Sequence, residues 1–248
     1  MIKRHPQKTP FLMRLAFILM LISGPFLTDK AHAQEGWQFS PYLRIDAGYS
    51  NTVDNTGTLS DATNTYAVDM FPHTGGRFQA GFGAKLSEFL RTDLTVSYRD
   101  NLARANTVRF PSGTEFAAQD GLHDVSNTTT LLNLYVDPLT AVGIDTGAFS
   151  PYLQGGIGWA RNSMKSMKFS SAAVEGATHH DVAWQIGAGL NYGLTDQWKI
   201  DISYRFLDMG QARGSKDYIN GVTPNRLRHE TRFDVQAHEV LFGLQYQF

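Results

Sequence analysis

Apolar and polar residues alternate along much of the chain with a period of two. This is the period of a β-strand, because successive strand side chains point to opposite faces. The pattern is plainest over 238–248, where apolar side chains occupy every second position from Val240 onward and the opposite face is polar or glycine apart from Leu241. The apolar face carries Val240, Phe242, Leu244, Tyr246 and Phe248. The segment therefore predicts a strand with one apolar face.

Seven further runs of the same kind precede this one. The predicted strands lie at 37–50, 76–86, 92–102, 125–136, 151–162, 181–192 and 198–206. Long polar connections lie at 51–73, 106–124, 163–180 and 210–230, and they alternate with shorter ones at 87–90, 137–150 and 193–197. Their Gly, Pro, Asn and Asp content is typical of loops and turns. The long connections are therefore predicted as loops, and 51–65 as a mobile one.

Alternation alone does not decide which face is inside, because a soluble lipocalin-like barrel has the same period with its apolar face inward. Glycine and charges of both signs crowd the polar faces, although glycine weakens strands with a solvated exterior. Aromatic residues near the ends of the apolar stripes resemble the interfacial girdles of membrane barrels. These girdle residues are Tyr49, Tyr98, Trp159, Tyr192, Trp198 and Tyr204. Both features favour an apolar exterior.

The alternation of long and short connections favours the same conclusion, because membrane barrels have short turns on the periplasmic side and longer loops outside the cell. The predicted fold class is therefore all-β. We expect a closed antiparallel transmembrane β-barrel of about eight strands, with short periplasmic turns and four long extracellular loops. The connection at 137–150 is longer than a tight turn, which departs from this pattern.

The first residues predict export. Lys3 and Arg4 give a positive start, 15–27 is a short apolar run, and Ala31-His32-Ala33 is a small-x-small cleavage pattern. The apolar run is too short for a membrane-spanning helix, which needs about 20 apolar residues. Residues 1–33 are therefore predicted as a cleaved signal peptide, and 34–248 as the barrel domain.

Several segments resemble the opacity-protein family of small Gram-negative outer-membrane β-barrels. They are 151–158, 184–193, 202–206 and the closing strand with its terminal phenylalanine. The resemblance implies an outer-membrane location, contact with membrane lipid and lipopolysaccharide, and loops that can meet a host or surface ligand. It also implies that the barrel-assembly machinery reads the closing strand. The residues that would form this assembly signal are Phe248, Tyr246, Leu244 and Phe242.

Charged residues on the polar faces predict a charge network in the lumen. They are Arg44, Asp46, Arg77, Lys85, Asp93, Arg99, Lys199, Asp201, Arg205 and Glu239. A barrel of about eight strands is only wide enough for side chains to fill it, so these charges should pair across strands. Expected pairs join Lys85 or Arg99 to Asp93 or Asp201. The favoured function is a structural or surface-interaction protein with a plugged lumen, and a narrow pore for small solutes is the alternative.

Composition excludes several other functions. A net charge of -1 provides no broad basic surface for nucleic acid, and the absence of cysteine excludes disulfides and thiolate metal sites. His179-His180-Asp181 is the best candidate for a catalytic or metal-binding cluster, followed by the His-acid pairs at 123–124, 229–230 and 238–239. No serine or carboxylate constellation accompanies them. We expect no cofactor, metal or enzymatic activity; a lipid-modifying enzyme or a protease is the least favoured alternative.

One further segment is a candidate for surface contact. Met164, Lys165, Met167, Lys168 and Phe169 combine two positive charges with apolar side chains. Such a segment could touch the phosphates of lipopolysaccharide or a host surface, and the alternative is an ordinary surface loop.

Overall fold

A computed structural model describes residues 39–53, 55–60, 65–72, 74–100, 103–109, 115–117, 125–169, 172–220, 223–226 and 229–248. The first eight strands are β1 (Ser40–Thr52), β2 (Asn55–Ser60), β3 (Thr65–Pro72), β4 (Thr74–Lys85), β5 (Leu90–Arg99), β6 (Ala103–Arg109), β7 (Glu115–Ala117) and β8 (Val125–Val136). A helix follows, α1 (Pro138–Ala141). The remaining strands are β9 (Phe149–Met164), β10 (Met167–Phe169), β11 (Ala172–Val174), β12 (Ala177–Gly193), β13 (Trp198–Arg213), β14 (Asp217–Asn220), β15 (Thr223–Arg226) and β16 (His229–Gln247). The predicted signal peptide, 1–33, lies outside the described residues.

Eight of these strands close into an antiparallel barrel. Their order is β1-β4-β5-β8-β9-β12-β13-β16, and β16 pairs back onto β1 with Leu43 opposite Tyr246. Each predicted run corresponds to one barrel strand, and β8 has the bounds that the sequence predicts. The predicted closed barrel is therefore confirmed.

The barrel wall is apolar outside and polar inside. Large apolar side chains on the outer face are exposed, such as Ile45 at 62% and Trp159 at 70%, whereas Arg77 and Glu239 on the inner face are 0% exposed. A soluble protein has the opposite arrangement, because exposing so much apolar surface to water is unfavourable. The outer face is suited to a lipid environment.

The four long connections lie where the sequence predicts them, but their described parts contain paired strands that the loop prediction did not include. The connection 51–73 contains the hairpin β2–β3, whose first strand falls in the predicted mobile segment 51–65; this hairpin extends the sheet from β16 and continues to β6 and β7. A second sheet has the order β10-β11-β14-β15. The loop prediction was based on the turn-forming residues in these connections. The stretches between those residues contain Thr, Val and Tyr, which favour strands. Pairing satisfies the backbone N–H and C=O groups of these runs.

Four neighbouring strands of the barrel wall are much longer than β5. Strands β9, β12, β13 and β16 have 16, 17, 16 and 19 residues, against 10 in β5. About 9–11 tilted residues are enough to cross a bilayer. The excess length of these strands lies at the end of the long connections and forms a raised wall.

The opposite end carries the short connections. In 137–150, Asp137 caps α1 by accepting hydrogen bonds from the backbone N–H groups of Leu139 and Thr140. The helix has four residues. Within the described ranges, no helix is long and apolar enough to cross a membrane.

Candidate functional site

The barrel interior is the candidate site, because the inner faces of all eight strands direct polar side chains into it. Glycines on the inner face make room for the larger residues across from them. A Cβ on Gly243 would collide with the carboxylate of Asp46, and one on Gly189 would collide with the ring of Tyr152. The interior is therefore closely packed, with small residues set against large ones.

A first group of charges is centred on Glu239, which lies on β16. Its carboxylate contacts Arg77 on β4, Arg99 on β5 at 2.5 Å and Arg205 on β13 at 2.8 Å. Arg99 also donates to Asn127 at 3.2 Å. We call Glu239, Arg77, Arg99 and Arg205 the glutamate cluster. All four residues are almost completely buried, and the cluster joins three guanidinium groups to one carboxylate.

A second group has the opposite composition. Arg44 on β1 contacts Asp46 at 2.7 Å, Asp93 at 3.4 Å and Asp201 at 3.3 Å. These four residues, the aspartate cluster, are also buried. Tyrosines supply further donors to it: Tyr42 and Tyr135 to Asp93 at 3.0 and 3.1 Å, and Tyr152 to Asp201 at 2.7 Å. Here one guanidinium group neutralises three carboxylates with the help of neutral hydroxyl groups.

Gln79 connects the two clusters. Its side-chain oxygen accepts a hydrogen bond from Arg77 at 2.5 Å, and its nitrogen donates to Asp46 at 2.8 Å. The amide thereby presents its acceptor to the cluster with excess positive charge and its donor to the cluster with excess negative charge. The two clusters have opposite formal excesses, so together they are balanced.

Three more cations lie at the short-connection end of the lumen: Lys85, Arg91 and Lys199, which we call the cationic mouth. Arg91 lies over the rings of Tyr135 and Tyr152, 4.5 and 4.4 Å from their centroids. It also donates to the side-chain oxygen of Gln245 at 3.0 Å. Arg91 is therefore held as a fixed charge by two aromatic faces and an amide.

An apolar layer fills the lumen toward the long connections. This apolar cap consists of Val125, Leu131, Ala160, Met164, Ala183, Leu207, Met209, Ala212, Phe233, Val235 and Ala237. Strand β13 has a bulge between Asp208 and Gln211, where Gly210 has a φ of 66°. The side-chain amide of Asn162 donates to the carbonyls of Met209 at 2.9 Å and Gln211 at 3.1 Å. These bonds satisfy backbone groups freed by the bulge, next to the buried Met209 side chain.

The predicted interfacial aromatic residues all lie on the outer face. Tyr49 and Tyr204 both face Val240 in the register of β16. Trp198 contacts Tyr246 with ring centroids 4.8 Å apart. The exposed set is Tyr49, Tyr98, Trp159, Tyr192, Trp198 and Tyr204. Phe248, Tyr246, Leu244 and Phe242 share the outer face of β16 side by side, and their role in assembly stays a prediction.

The candidate catalytic clusters are dispersed by strand geometry. His179 and Asp181 share one face of β12, but His180 points to the other, so the three do not converge. The Asp181 carboxylate accepts from the backbone N–H of Gln211 at 3.0 Å. His238 faces outward and bonds Tyr204 at 2.7 Å, while its neighbour Glu239 faces inward. The pair 123–124 lies outside the described residues.

The remaining candidates, the His-acid pair at 229–230 and the segment 164–169, lie near the long-connection end of the barrel. Glu230 pairs with Arg213 and Arg232 near the rim. In the apolar and basic segment 164–169, Met164 belongs to the apolar cap, Lys165 is exposed, and the side chains of 167–169 lie outside the described ones. In the described part of the chain, no three His, Asp or Glu residues are grouped as a metal site would require.

The expected ion pairs are wrong in detail. Arg99 contacts Glu239, Asp93 and Asp201 contact Arg44, and Lys85 has no ion pair within the described ranges. Pairing depends on which side chains stand at the same height, and strand tilt sets this height. Sequence reasoning also missed Arg91, because the predicted strand began at Thr92 whereas β5 begins at Leu90.

Comparisons with known proteins agree with this architecture. The model of the outer membrane protein beta-barrel domain matches residues 31–248. An uncharacterised protein of Brucella melitensis is 30% identical across 87% of this chain and 86% of its own length. A candidate adhesin of Rickettsia conorii is 24% identical across 73% of this chain and 72% of its own length.

Among solved structures, one that the chain matches is neisserial surface protein A. It is 14% identical, with a TM-score of 0.48, and the match covers 84% of this chain and 97% of that one. The family match extends over all the described barrel strands, whose outer face is apolar. This chain therefore belongs to the outer-membrane β-barrel protein family and resides in the outer membrane.

Proposed function

We propose that the protein is a non-enzymatic outer-membrane barrel whose lumen is closed by its own side chains and whose raised wall contacts a ligand at the cell surface. The proposal of a closed lumen rests on one observation, the burial of the lumen charges. Arg77, Arg99, Arg205 and Glu239 are at most 1% exposed and contact one another. A wide aqueous channel would instead leave such groups in contact with water.

The energetics of buried charge support a closed lumen. Removing a carboxylate or a guanidinium group from water costs several kcal/mol unless a partner and further hydrogen bonds compensate. In both clusters the charges lie within 4 Å of partners, and Gln79 joins the clusters into one network. The network therefore crosses the lumen and fills it.

The apolar cap gives a second reason for closure. Leu131, Leu207 and Met209 are 0% exposed and lie within a continuous apolar cluster above the charged layers. A hydrated ion or a polar solute would have to give up water to pass such a layer, which is unfavourable. The two layers oppose transport for different physical reasons.

The surface role rests on the raised wall. Strands β9, β12, β13 and β16 extend well beyond the length that a bilayer requires and continue into the additional strands. Paired strands offer a more rigid binding surface than irregular loops. The similarity to a candidate adhesin of Rickettsia conorii agrees with a role in surface contact.

Absence of enzymatic activity is part of the proposal. The described histidines are separated by strand alternation, and the carboxylates inside the barrel are engaged by arginines and tyrosines. A general base needs access to a substrate. These carboxylates lack it.

Solute uptake by proteoliposomes tests the closed lumen. Vesicles that contain the purified protein should swell in a small sugar no faster than protein-free vesicles, because the lumen offers no wet path. A porin reconstituted in parallel provides the positive control. Fast swelling with the wild-type protein would favour the narrow pore instead.

Cysteine labelling of whole cells tests the orientation that the surface role requires. Because the chain has no cysteine, single substitutions at Ala172 and Asn220 should react with an impermeant maleimide, whereas Ala141 and Asp196 should react only after lysis. The first pair belongs to the additional sheet, and the second pair lies in the short connections. Labelling of Asp196→Cys in intact cells would refute the orientation.

A further inference from the structure

The cationic mouth contains a concentration of positive charge that the two clusters do not compensate. Lys85 on β4 is directly opposite Arg91 on β5 in the antiparallel register. Like charges in directly opposed positions destabilise a sheet. Lys199 on β13 lies within electrostatic reach of both. Three cations thus share one end of the lumen.

No carboxylate in the described ranges forms an ion pair with these cations, although Asp201 of the aspartate cluster acts electrostatically on Arg91 from a greater distance. In the two clusters, by contrast, carboxylates are within 4 Å of arginines throughout. Two acids line the cavity beside these cations, Glu88 and Asp137, and Asp137 is occupied by the cap of α1. Glu88 is exposed on the turn before β5. The positive excess of the mouth therefore differs from the balance of the clusters.

A cavity of about 70 Å³ lies among these cations. Its lining includes Lys85, Arg91 and Lys199, together with the side chains of Tyr42 and Gln245. A single water needs only about 10–15 Å³ of such space. The cavity is therefore large enough for a small polyatomic ion, and its lining supplies N–H and O–H donors.

The two kinds of cation have different roles. Arg91 is held against two tyrosine rings and bonded to Gln245, and it also faces the amide of Asn191, so it supplies a fixed positive charge. Lys85 and Lys199 keep flexible side chains whose ammonium groups act as point charges with three donors each. Such an arrangement can adjust to a tetrahedral oxyanion without a rigid, preformed geometry.

We propose that the cationic mouth binds a small oxyanion of the phosphate type, with Lys85 and Lys199 as its direct ligands and Arg91 as the fixed charge behind them. The site opens to the side of the short connections and is separate from the closed layers of the lumen. It is thus independent of the proposed surface role, and either proposal can fail alone.

Titration of the purified, refolded full mature protein with inorganic phosphate tests the site. Isothermal calorimetry in a detergent without phosphate groups should show saturable binding by the wild type, with a Kd of about 1 mM or below. The double variant Lys85→Gln/Lys199→Gln should bind at least about tenfold more weakly, because two charged donors are lost. Lys216→Gln, an exposed lysine elsewhere, is the matched control and should bind as the wild type does.

Two further measurements separate binding from folding. Lys85→Arg/Lys199→Arg keeps both charges and should retain saturable binding. Phosphate should also raise the urea midpoint of the wild type more than that of the glutamine double variant, since a ligand that binds only the folded state stabilises it. Absence of saturable binding by folded wild-type protein, or equal binding by the glutamine variant, would overturn the proposal.

Discussion

The two charged clusters of the lumen have opposite charge compositions. In the glutamate cluster, one carboxylate on Glu239 holds three guanidinium groups, and in the aspartate cluster one guanidinium on Arg44 holds three carboxylates. Their chemistry is not symmetric, however. An arginine keeps its charge under all ordinary conditions, whereas an aspartate can take up a proton. Loss of the central residue should therefore affect the two clusters differently.

The supporting contacts differ as well. Tyr42, Tyr135 and Tyr152 surround the aspartates with hydroxyl groups, so the negative cluster has several neutral donors. The glutamate cluster depends more heavily on its single carboxylate. In the described part of the chain, Nε of Arg77 and one terminal nitrogen of Arg205 donate to no protein group. Glu239 is therefore the residue whose loss should be most damaging.

Replacement of Glu239 should have the largest effect. Glu239→Ala leaves three buried guanidinium groups without an anion, which should lower the free energy of unfolding by about 3–5 kcal/mol. Urea unfolding of the protein refolded in detergent measures the loss. The matched control is Glu230→Ala on the same strand, where a more exposed glutamate also pairs with two arginines and should contribute less than about 1 kcal/mol. Equal losses for the two variants would contradict the account.

Replacement of Arg44 should cost less, and its cost should depend on pH. Arg44→Met leaves three aspartates together and should destabilise the barrel by about 3 kcal/mol near neutral pH. Because aspartates can take up protons in acid, the loss should shrink as the pH falls. Urea midpoints across the pH range measure this, with the exposed Arg161→Met as control. A loss that is independent of pH would show that the two clusters respond alike.

Removal of the link between the clusters should have the smallest effect of the three. Gln79→Leu deletes one acceptor for Arg77 and one donor for Asp46, which should cost about 2 kcal/mol because both bonds involve charged groups. Gln236→Leu removes a single bond to Asp208 at the rim and should cost less. The same urea assay compares the two, and a neutral Gln79→Leu would show that the clusters are independent.

The alternating pattern was enough to predict the barrel and to assign such charges as Arg44 and Asp46 to its interior, although it missed Arg91. Arg44 and Asp46 were assigned to the interior because they alternate with Leu43, Ile45 and Ala47, and the structure places both of them there. Such an assignment needs only the period of a strand. The identity of each partner was not accessible, because it depends on register and tilt between strands far apart in sequence, such as β4 and β16 for Arg77 and Glu239.

The apolar cap escaped prediction for a different reason. Met209 lies at a bulge, and Ala212 falls within the segment that was predicted as a loop, so neither belonged to a regular alternating run. Phe233 and Val235 lie in the part of β16 before the predicted closing strand. These side chains point inward because β13 and β16 stay paired past the predicted strand bounds. The turn residues in the same segments led to their prediction as loops.

Single-channel recording tests the central claim, a closed lumen, most directly. The wild-type protein in planar bilayers should show no steady conductance, because both charged clusters and the apolar cap block the path. Glu239→Ala should produce openings as the unneutralised arginines separate, whereas Glu230→Ala should remain closed. A steady open channel in the wild-type protein would contradict the account.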